Sequence, residues 1–452
     1  MAVLSGLLYR LTAEEEHREA LQTILAQKER CTVEEARRAE LLMRELRDMT
    51  CVPEAEHTAY RALVVEASSC WRDARAANDF RVLEPMLGQI VEHQRRRAAY
   101  RDSSRPAYDV LLDGYEKGNS MARLDPFFEA LRRDLTPLVL AVKERPQPEK
   151  SFLVGGFPVH EQQAFALGLM ELMGIDRERC GLAVTEHPYT HAIDNKNVRI
   201  TTRFQEDVSA SMYSVIHEGG HALYELGVED RYQGTALQGG ASMSIHESQS
   251  RFYENIIGRS LPFCRAVLPV MLRLWPERLK GVTPGLLYAA VCRAEPTLVR
   301  TEADELTYPM HIMVRYELEK GLFAGEIGVH ELPGLWAEMY HKYLGLEVPD
   351  DLRGVLQDVH WPDGLWGYFP SYALGNAYGA QMLKAMEETV DVWGSVEKGD
   401  LRPVNGWLRE KIHRHGRLME PAELLLQATG TPIDPGIYTG YLKRKYTALY
   451  DL

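Results

Sequence analysis

The sequence predicts a mainly α-helical protein with one small sheet, from three features: paired helix-start signals near the N-terminus, long segments with helical apolar spacing, and only two short strand-like segments. In order, Thr12-Ala13-Glu14-Glu15 and Thr32-Val33-Glu34-Glu35 read as capping boxes, in which Thr caps the backbone and a Glu reaches back to it. The charged, periodic segments after them predict a helical hairpin over residues 1–50, placed to cover a groove. Helices follow over 55–100, 126–143, 159–173 and 206–227. Leu182-Ala183-Val184-Thr185 and Asn197-Val198-Arg199-Ile200-Thr201-Thr202 alternate apolar and polar residues with β-branched content, and predict a hairpin just before the 206–227 helix. Further helices are predicted over 246–259, 284–322, 331–343 and 376–390, with a last pair near 403–428. No repeat or low-complexity linker interrupts the chain. Residues 1–452 therefore read as a single large helical domain with a deep active-site groove and a small β-sheet at its lip.

Composition narrows the function. With 452 residues, 45% of them hydrophobic, the chain can bury a large core. Fifty-two Lys and Arg against 65 Asp and Glu leave a net charge of −13. That balance argues against nucleic acid and against docking on anionic lipid. Arg95-Arg96-Arg97 is the one local basic run, and reads as a solvated helix face. The six Cys, at positions 31, 51, 70, 180, 264 and 292, contain no CxxC pair. They suggest neither a disulfide framework nor a Cys-zinc site. Residues 1–10 lack a basic leader followed by a sustained apolar stretch, and no run of about 20 apolar residues is present to span a bilayer. A cytoplasmic location is expected.

The chemistry is concentrated in His217-Glu218-Gly219-Gly220-His221. Two His four residues apart lie on one face of a helix, where both can ligate one metal ion and the Glu can reach a water beside it. A plain amphipathic helix with two solvated His is the alternative. Met212, Val215, Ile216, Leu223 and Leu226 have helix-like spacing, which makes this helix largely buried. Gly219 and Gly220 each cost roughly 1 kcal/mol relative to Ala in a helix, so close passage of a substrate or another backbone is expected over that face. A catalytic zinc needs a third protein ligand. Glu247, in Ser244-Ile245-His246-Glu247-Ser248-Gln249, is the best candidate, brought back by an excursion through the Gly-rich stretch 234–240. Two His and one carboxylate form a zinc donor set.

Five ordered blocks make the chain resemble the thermostable-type zinc carboxypeptidases, peptidase family M32. They are His217 to His221; His246-Glu247-Ser248-Gln249; Val299-Arg300-Thr301-Glu302-Ala303-Asp304, with Val for Ile; Gly354-Val355-Leu356-Gln357-Asp358-Val359-His360-Trp361; and Asn197-Val198-Arg199-Ile200-Thr201. In the last, Asn197 stands where the family has Asp, which removes a charge. Trp71 to Arg75 and Tyr108 to Asp113 are also similar to the family. The resemblance covers nearly the whole chain. It implies a helical groove of the gluzincin kind, a homodimer, one Zn²⁺ per chain with Co²⁺ as a substitute, and removal of residues from peptides with a free C-terminus.

Roles follow by residue. Glu218 takes a proton from the zinc-bound water and returns it to the leaving amine. His360 and Tyr372 are the favoured oxyanion donors, with Tyr368 and Tyr378 as substitutes; aromatic core packing is the plainer alternative for any one Tyr. Arg300, Arg353 and Arg199 are candidates for the substrate carboxylate, which Arg recognises through its fork. For each, an ion pair, with Asp304 or Asp358 for instance, is the plainer alternative. Asp304, Asp358 or Glu225 can take the second ring N–H of a ligand His. Two rival functions share these residues: an oligopeptidase or aminopeptidase with the same metal, and a zinc-stabilised scaffold without turnover, which would not need Glu218.

Overall fold

The Thr32 capping box is present: the Thr32 hydroxyl accepts from the Glu35 N–H at 3.2 Å, and the Glu35 carboxylate accepts from the Thr32 N–H at 2.9 Å. The box predicted at Thr12 and the N-terminal decapeptide lie outside the residues described by the computed structural model, 14–452. Helices α1 (Glu15–Ala26) and α2 (Val33–Thr50) form the predicted hairpin. Leu21 of α1 packs on Ala39, Met43 and Leu46 of α2. The other side of α2 docks through Leu41 on Val228, Tyr232 and Leu237, and through Arg37 on Glu420.

Eighteen α-helices and one three-stranded sheet make up the described residues. After the hairpin come α3 (Glu54–Ala77), α4 (Glu84–Arg101), α5 (Ala107–Tyr115), α6 (Met121–Lys143) and α7 (Val159–Leu172). Strands β1 (Cys180–Val184), β2 (Thr190–Asp194) and β3 (Asn197–Thr202) precede α8 (Val208–Gly227) and α9 (Met243–Arg251). The C-terminal half holds α10 (Leu261–Leu274), α11 (Pro284–Val291), α12 (Tyr308–Ala324), α13 (Leu332–Leu344), α14 (Pro370–Met386), α15 (Val392–Glu397), α16 (Arg402–Lys411), α17 (Pro421–Thr429) and α18 (Pro435–Tyr450).

Several boundaries differ from the sequence reading, each for a local reason. The 55–100 helix is two helices, because Asn78 takes a left-handed conformation (φ 52°) that ends α3. The 284–322 helix breaks over 292–307, which contains Pro296; Asp304 then accepts the N–H groups of Leu306 and Thr307 and starts α12. Helices α10 and α18 are not among the predicted ones; both carry Pro in their first turn. Proline at the first turn is in fact a helix start, since its missing N–H has no helical partner to lose. The predicted hairpin of the two strand-like segments is also corrected. They are β1 and β3, which lie parallel, with Cys180 opposite Val198 and Val184 opposite Thr202. The chain crosses over and returns through β2, antiparallel to β3 and at the edge of the order β1-β3-β2. In the basic run, Arg96 is exposed but Arg97 lies over the Tyr60 ring.

Helix α8 stands at the centre. Its sides pack on β3 and β2, on α7, and on α9 and the π-helical turn Phe252–Gly258 that continues α9. Helix α9 is in turn covered by α14. Met212, Val215, Ile216 and Leu223 are buried, as the apolar spacing predicts, and Leu226 is half-buried. All six cysteines are free thiols. No helix among the described residues is long and apolar enough to cross a membrane.

Candidate metal centre and active site

His217 and His221 sit one turn apart on α8, and their half-buried rings face α9. Glu247, on α9, is buried against them. Its Oε2 lies 3.6 Å from Nε2 of His221 and 3.9 Å from Nε2 of His217. Three ligand atoms from these residues lie within 4.8 Å of one another, and no other such group occurs among the described residues. These separations are slightly wider than the ~3.3 Å that ligand atoms keep on a tetrahedral ion with bonds of about 2.0–2.1 Å. The donor set and its geometry therefore fit a divalent metal.

Two glycines permit this approach. A Cβ at Gly220 would stand 2.6 Å from the Gln249 carbonyl oxygen and 2.7 Å from the Ser250 Cα, so the α9 backbone passes directly over it. This is the close backbone passage that the glycine pair led us to expect. On the far side of α9, a Cβ at Gly375 of α14 would meet the Glu247 Cβ at 2.9 Å.

Charged neighbours hold the ligands. Arg251, one turn after Glu247, donates from Nε to Glu247 Oε1 at 2.7 Å and leaves Oε2 turned toward the imidazoles. Its Nη1 donates to Glu254 Oε2 at 3.1 Å, and the same carboxylate oxygen is 2.8 Å from Nδ1 of His217. Burial would lower the His217 pKa, but Glu254 and Glu247 outweigh it and the net shift is upward. Burial also pushes Glu254 up, and Arg251 and His217 pull it far below the carboxylate range. His221, buried beside His246 and His217 with no carboxylate at its Nδ1, is held well below the usual histidine range. Its Nδ1 meets Nδ1 of His246 at 2.7 Å.

Glu218 is buried on the sheet side of α8. Thr190, on edge strand β2, donates to its Oε2 at 2.6 Å. Burial raises the Glu218 pKa; His217 and Thr190 oppose the rise without cancelling it.

A second wall comes from the loop 360–369 and the first turn of α14. His360 stacks near Tyr368 and Phe369, with ring centroids 5.6 and 4.6 Å away. Tyr372 stands edge-on to Tyr368 at 5.1 Å and to Tyr308 at 6.2 Å, and Tyr308 lies under the Arg251 guanidinium. Tyr372 is one turn before Gly375, and so is carried toward Glu247. Burial holds His360 down to about 4, with Asp358 opposing and Arg300 and Arg315 adding to the fall. Its ring is neutral near pH 7. Tyr378, by contrast, donates its hydroxyl to the buried Glu116 at 3.0 Å, on the opposite side of α14 from this wall.

The three arginines part company. Arg300 is buried and lies 5.3 Å from the Tyr372 ring centroid. Its Nε and Nη2 donate to Asp358 at 3.1 and 2.8 Å, the ion pair weighed as the plainer alternative. Arg353 is exposed and paired with Asp350. Arg199 is on the outer face of β3, opposite the side that packs on α8. Of the predicted outer partners, Asp304 caps α12, Asp358 holds Arg300 and Arg315, and Glu225 bonds His246. Asn197 opens β3 with its buried Oδ1 lacking a hydrogen-bond partner. Sequence reasoning missed Thr190, Arg251, Glu254 and Tyr308. Helical spacing carried a signal for two of them: Arg251 and Glu254 follow Glu247 at i+4 and i+7, on its own face.

A separate cleft of about 840 Å³ at the C-terminal end of α8 is lined by Arg179, Lys196, Glu229 and Arg409, and contains none of these ligands.

The carboxypeptidase Taq (M32) metallopeptidase family matches residues 1–446. Carboxypeptidase 1 of Bacillus subtilis is 38% identical over 414 residues, covering 91% of this chain and 83% of that protein. Thermostable carboxypeptidase 1 of Thermus thermophilus is 40% identical over 399 residues, covering 85% and 78%. Among solved structures, the M32 carboxypeptidase from Deinococcus radiodurans superposes with a TM-score of 0.97 at 35% identity, over 100% of this chain and 91% of that one.

Proposed function

The chain belongs to the M32 family and is a metallocarboxypeptidase, and from that premise we propose that its metal is Zn²⁺, held by His217, His221 and Glu247, with Glu218 as the catalytic base. The carrying observation is the meeting of His217 Nε2, His221 Nε2 and Glu247 Oε2 beside a buried Glu218. When bound, zinc supplies Lewis acidity, polarising a carbonyl and lowering the pKa of water.

The protein's own groups supply the rest. Burial strengthens Glu218 as a base, because it raises the affinity of the carboxylate for a proton. Thr190 fixes the orientation of that carboxylate. Protonated Glu218 can then hand its proton to the leaving amine. Tyr372 offers a hydroxyl, and neutral His360 an N–H, to the oxygen on which negative charge develops. Tyr368 stands beside them as a substitute. Of Arg300, Arg353 and Arg199, Arg300 alone lies against this wall, 5.3 Å from the Tyr372 ring centroid, and we assign it to the end of the groove that receives the free carboxylate. Co²⁺ serves as a working substitute for Zn²⁺ in this reading, because the same three ligands suit it.

The test is one unmodified peptide incubated with the enzyme, with and without chelator, and read by mass spectrometry. A ladder from the C-terminus that chelator abolishes and Zn²⁺ restores is expected. In parallel, Glu218→Gln should keep its zinc and lose at least ~10²-fold in kcat. Normal turnover in that variant would remove Glu218 as the base.

A further inference from the structure

His221 lacks the direct carboxylate partner that His217 has. His246 stands there instead, reaching from α9 between His221 and Glu225, which lie one turn apart on α8. Its Nε2 is 2.7 Å from Glu225 Oε1, and its Nδ1 is 2.7 Å from Nδ1 of His221. A metal on His221 Nε2 leaves that ring's proton on Nδ1, so the facing His246 Nδ1 must accept, and one arrangement of protons is then consistent along the chain. An ionised carboxylate only accepts, so His246 carries its hydrogen on Nε2. The Nδ1 of that neutral ring is then bare and accepts from His221 Nδ1. His221 Nε2 is left bare, and that is the atom 3.6 Å from Glu247 Oε2. His217 reaches the same tautomer in one step, through Glu254.

The His246 ring is also packed on both the Tyr224 ring and the Gly240 backbone. The Tyr224 ring lies 5.0 Å from the His246 ring, centroid to centroid. Gly240 passes so close that an added methyl would stand 2.8 Å from His246 Cδ2 and 2.8 Å from the Tyr224 ring.

We infer that His246 and Glu225 are positioning residues: a Glu225–His246–His221 relay that keeps the His221 proton on Nδ1 and points its Nε2 lone pair at the metal position. This rests on the metal centre proposed above. A Glu or carbonyl partner would have served His221 more simply. The relay ties His221 on α8 to the helix that carries Glu247, while Glu247 itself is held by Arg251.

The test compares zinc affinity, by competition with a chromogenic chelator, across the wild type, His246→Leu, His246→Asn, Glu225→Gln and His221→Ala. The melting temperature of each metal-free protein is measured alongside. His246→Leu removes the acceptor and should bind zinc 10- to 100-fold more weakly, the usual cost of losing a partner behind a metal ligand. His246→Asn can set its Oδ1 where Nδ1 was and accept from His221, so its affinity should stay within about threefold of wild type. Glu225→Gln can donate as well as accept, which unlocks the tautomer; it should weaken zinc by roughly tenfold. The metal-free melting temperatures should not follow this ranking. If His246→Leu fails to fold, the Asn and Gln variants still carry the comparison. Wild-type zinc affinity in His246→Leu or Glu225→Gln, or loss in His246→Asn equal to that in His246→Leu, overturns the relay and leaves the metal centre standing. Wild-type affinity in His221→Ala overturns the metal centre, and the relay with it.

Discussion

A single methyl group at Gly220 would collide with backbone atoms of Gln249 and Ser250, which cannot swing aside as a side chain can. Gly220→Ala should therefore push α8 and α9 apart. Helix propensity favours Ala by roughly 1 kcal/mol, but overpacking of this kind costs about 1–3 kcal/mol, so net destabilisation is expected, together with weaker metal binding as His221 and Glu247 separate. Gly219→Ala meets the end of the flexible Met173 side chain and should be milder. Urea unfolding and a zinc titration check the order; equal stability and affinity in both variants would refute it. Thr190→Val removes the one hydroxyl bonded to the Glu218 carboxylate. It should leave zinc content unchanged and lower kcat by roughly tenfold, less than loss of the base itself. At this scale the sequence was most legible where chemistry is carried by spacing. His217, Glu218 and His221 declare themselves, because four residues is one helical turn. Thr190 does not, since its role depends on which strand ends beside α8.

Two helices and a loop decide the aromatic wall. Glu319, on α12, is fully buried and accepts from Trp361 Nε1 at 2.7 Å, from the Gly367 N–H at 2.8 Å and from the Tyr108 hydroxyl at 2.9 Å. It thereby pins both ends of the turn that carries His360 and Tyr368. Burial pushes its carboxyl up from 4.5 to about 7, against those three hydrogen bonds. Between those values the folded protein holds more protons than the unfolded chain, so the stability contributed by this group falls as pH rises through the window. Glu319→Gln removes the titration. The stability of the wild type relative to the variant should therefore decline from pH 4.5 to about 7 and then level off, as read by urea unfolding at each pH. A difference independent of pH would show that Glu319 titrates alike in both states. The same loop explains why the blocks converge. Asp358 binds both Arg300 and Arg315, and the Gln357 side-chain oxygen accepts from Arg300 N and Arg315 Nη2 at 2.9 Å each. Helix presence was legible from periodicity. Helix breaks were not, because Asn78 and the Asp304 cap act through local backbone geometry that an apolar pattern does not encode.

For the whole molecule, the decisive prediction is directional. A groove that receives a free carboxylate must face it with a cation, and amidation removes the charge-assisted bond between them. Amidating the peptide C-terminus should lower kcat/KM by ~10²-fold or more, about 3 kcal/mol of transition-state binding. Acetylating the N-terminus of a longer peptide should matter little. Equal cleavage of free and amidated peptides would contradict the assignment of a carboxylate subsite. The Arg300–Asp358 pair shapes how such a subsite can work: a substrate carboxylate there must share a guanidinium whose Nε and Nη2 already donate to Asp358.

What the sequence determined by itself was the helical class, the single helical domain and the residues that meet at the candidate metal centre, His217, His221 and Glu247 with Glu218 beside them. Each rests on short-range periodicity or on a motif whose spacing is its geometry. Only the tertiary structure decided that β1 and β3 run parallel, that Tyr378 turns to Glu116 while Tyr372 faces the site, and that His246 stands between His221 and Glu225. These depend on which elements meet. That is settled by the packing of surfaces far apart in the chain, where one glycine at the α8–α9 crossing does as much as any charged residue to bring the ligands together.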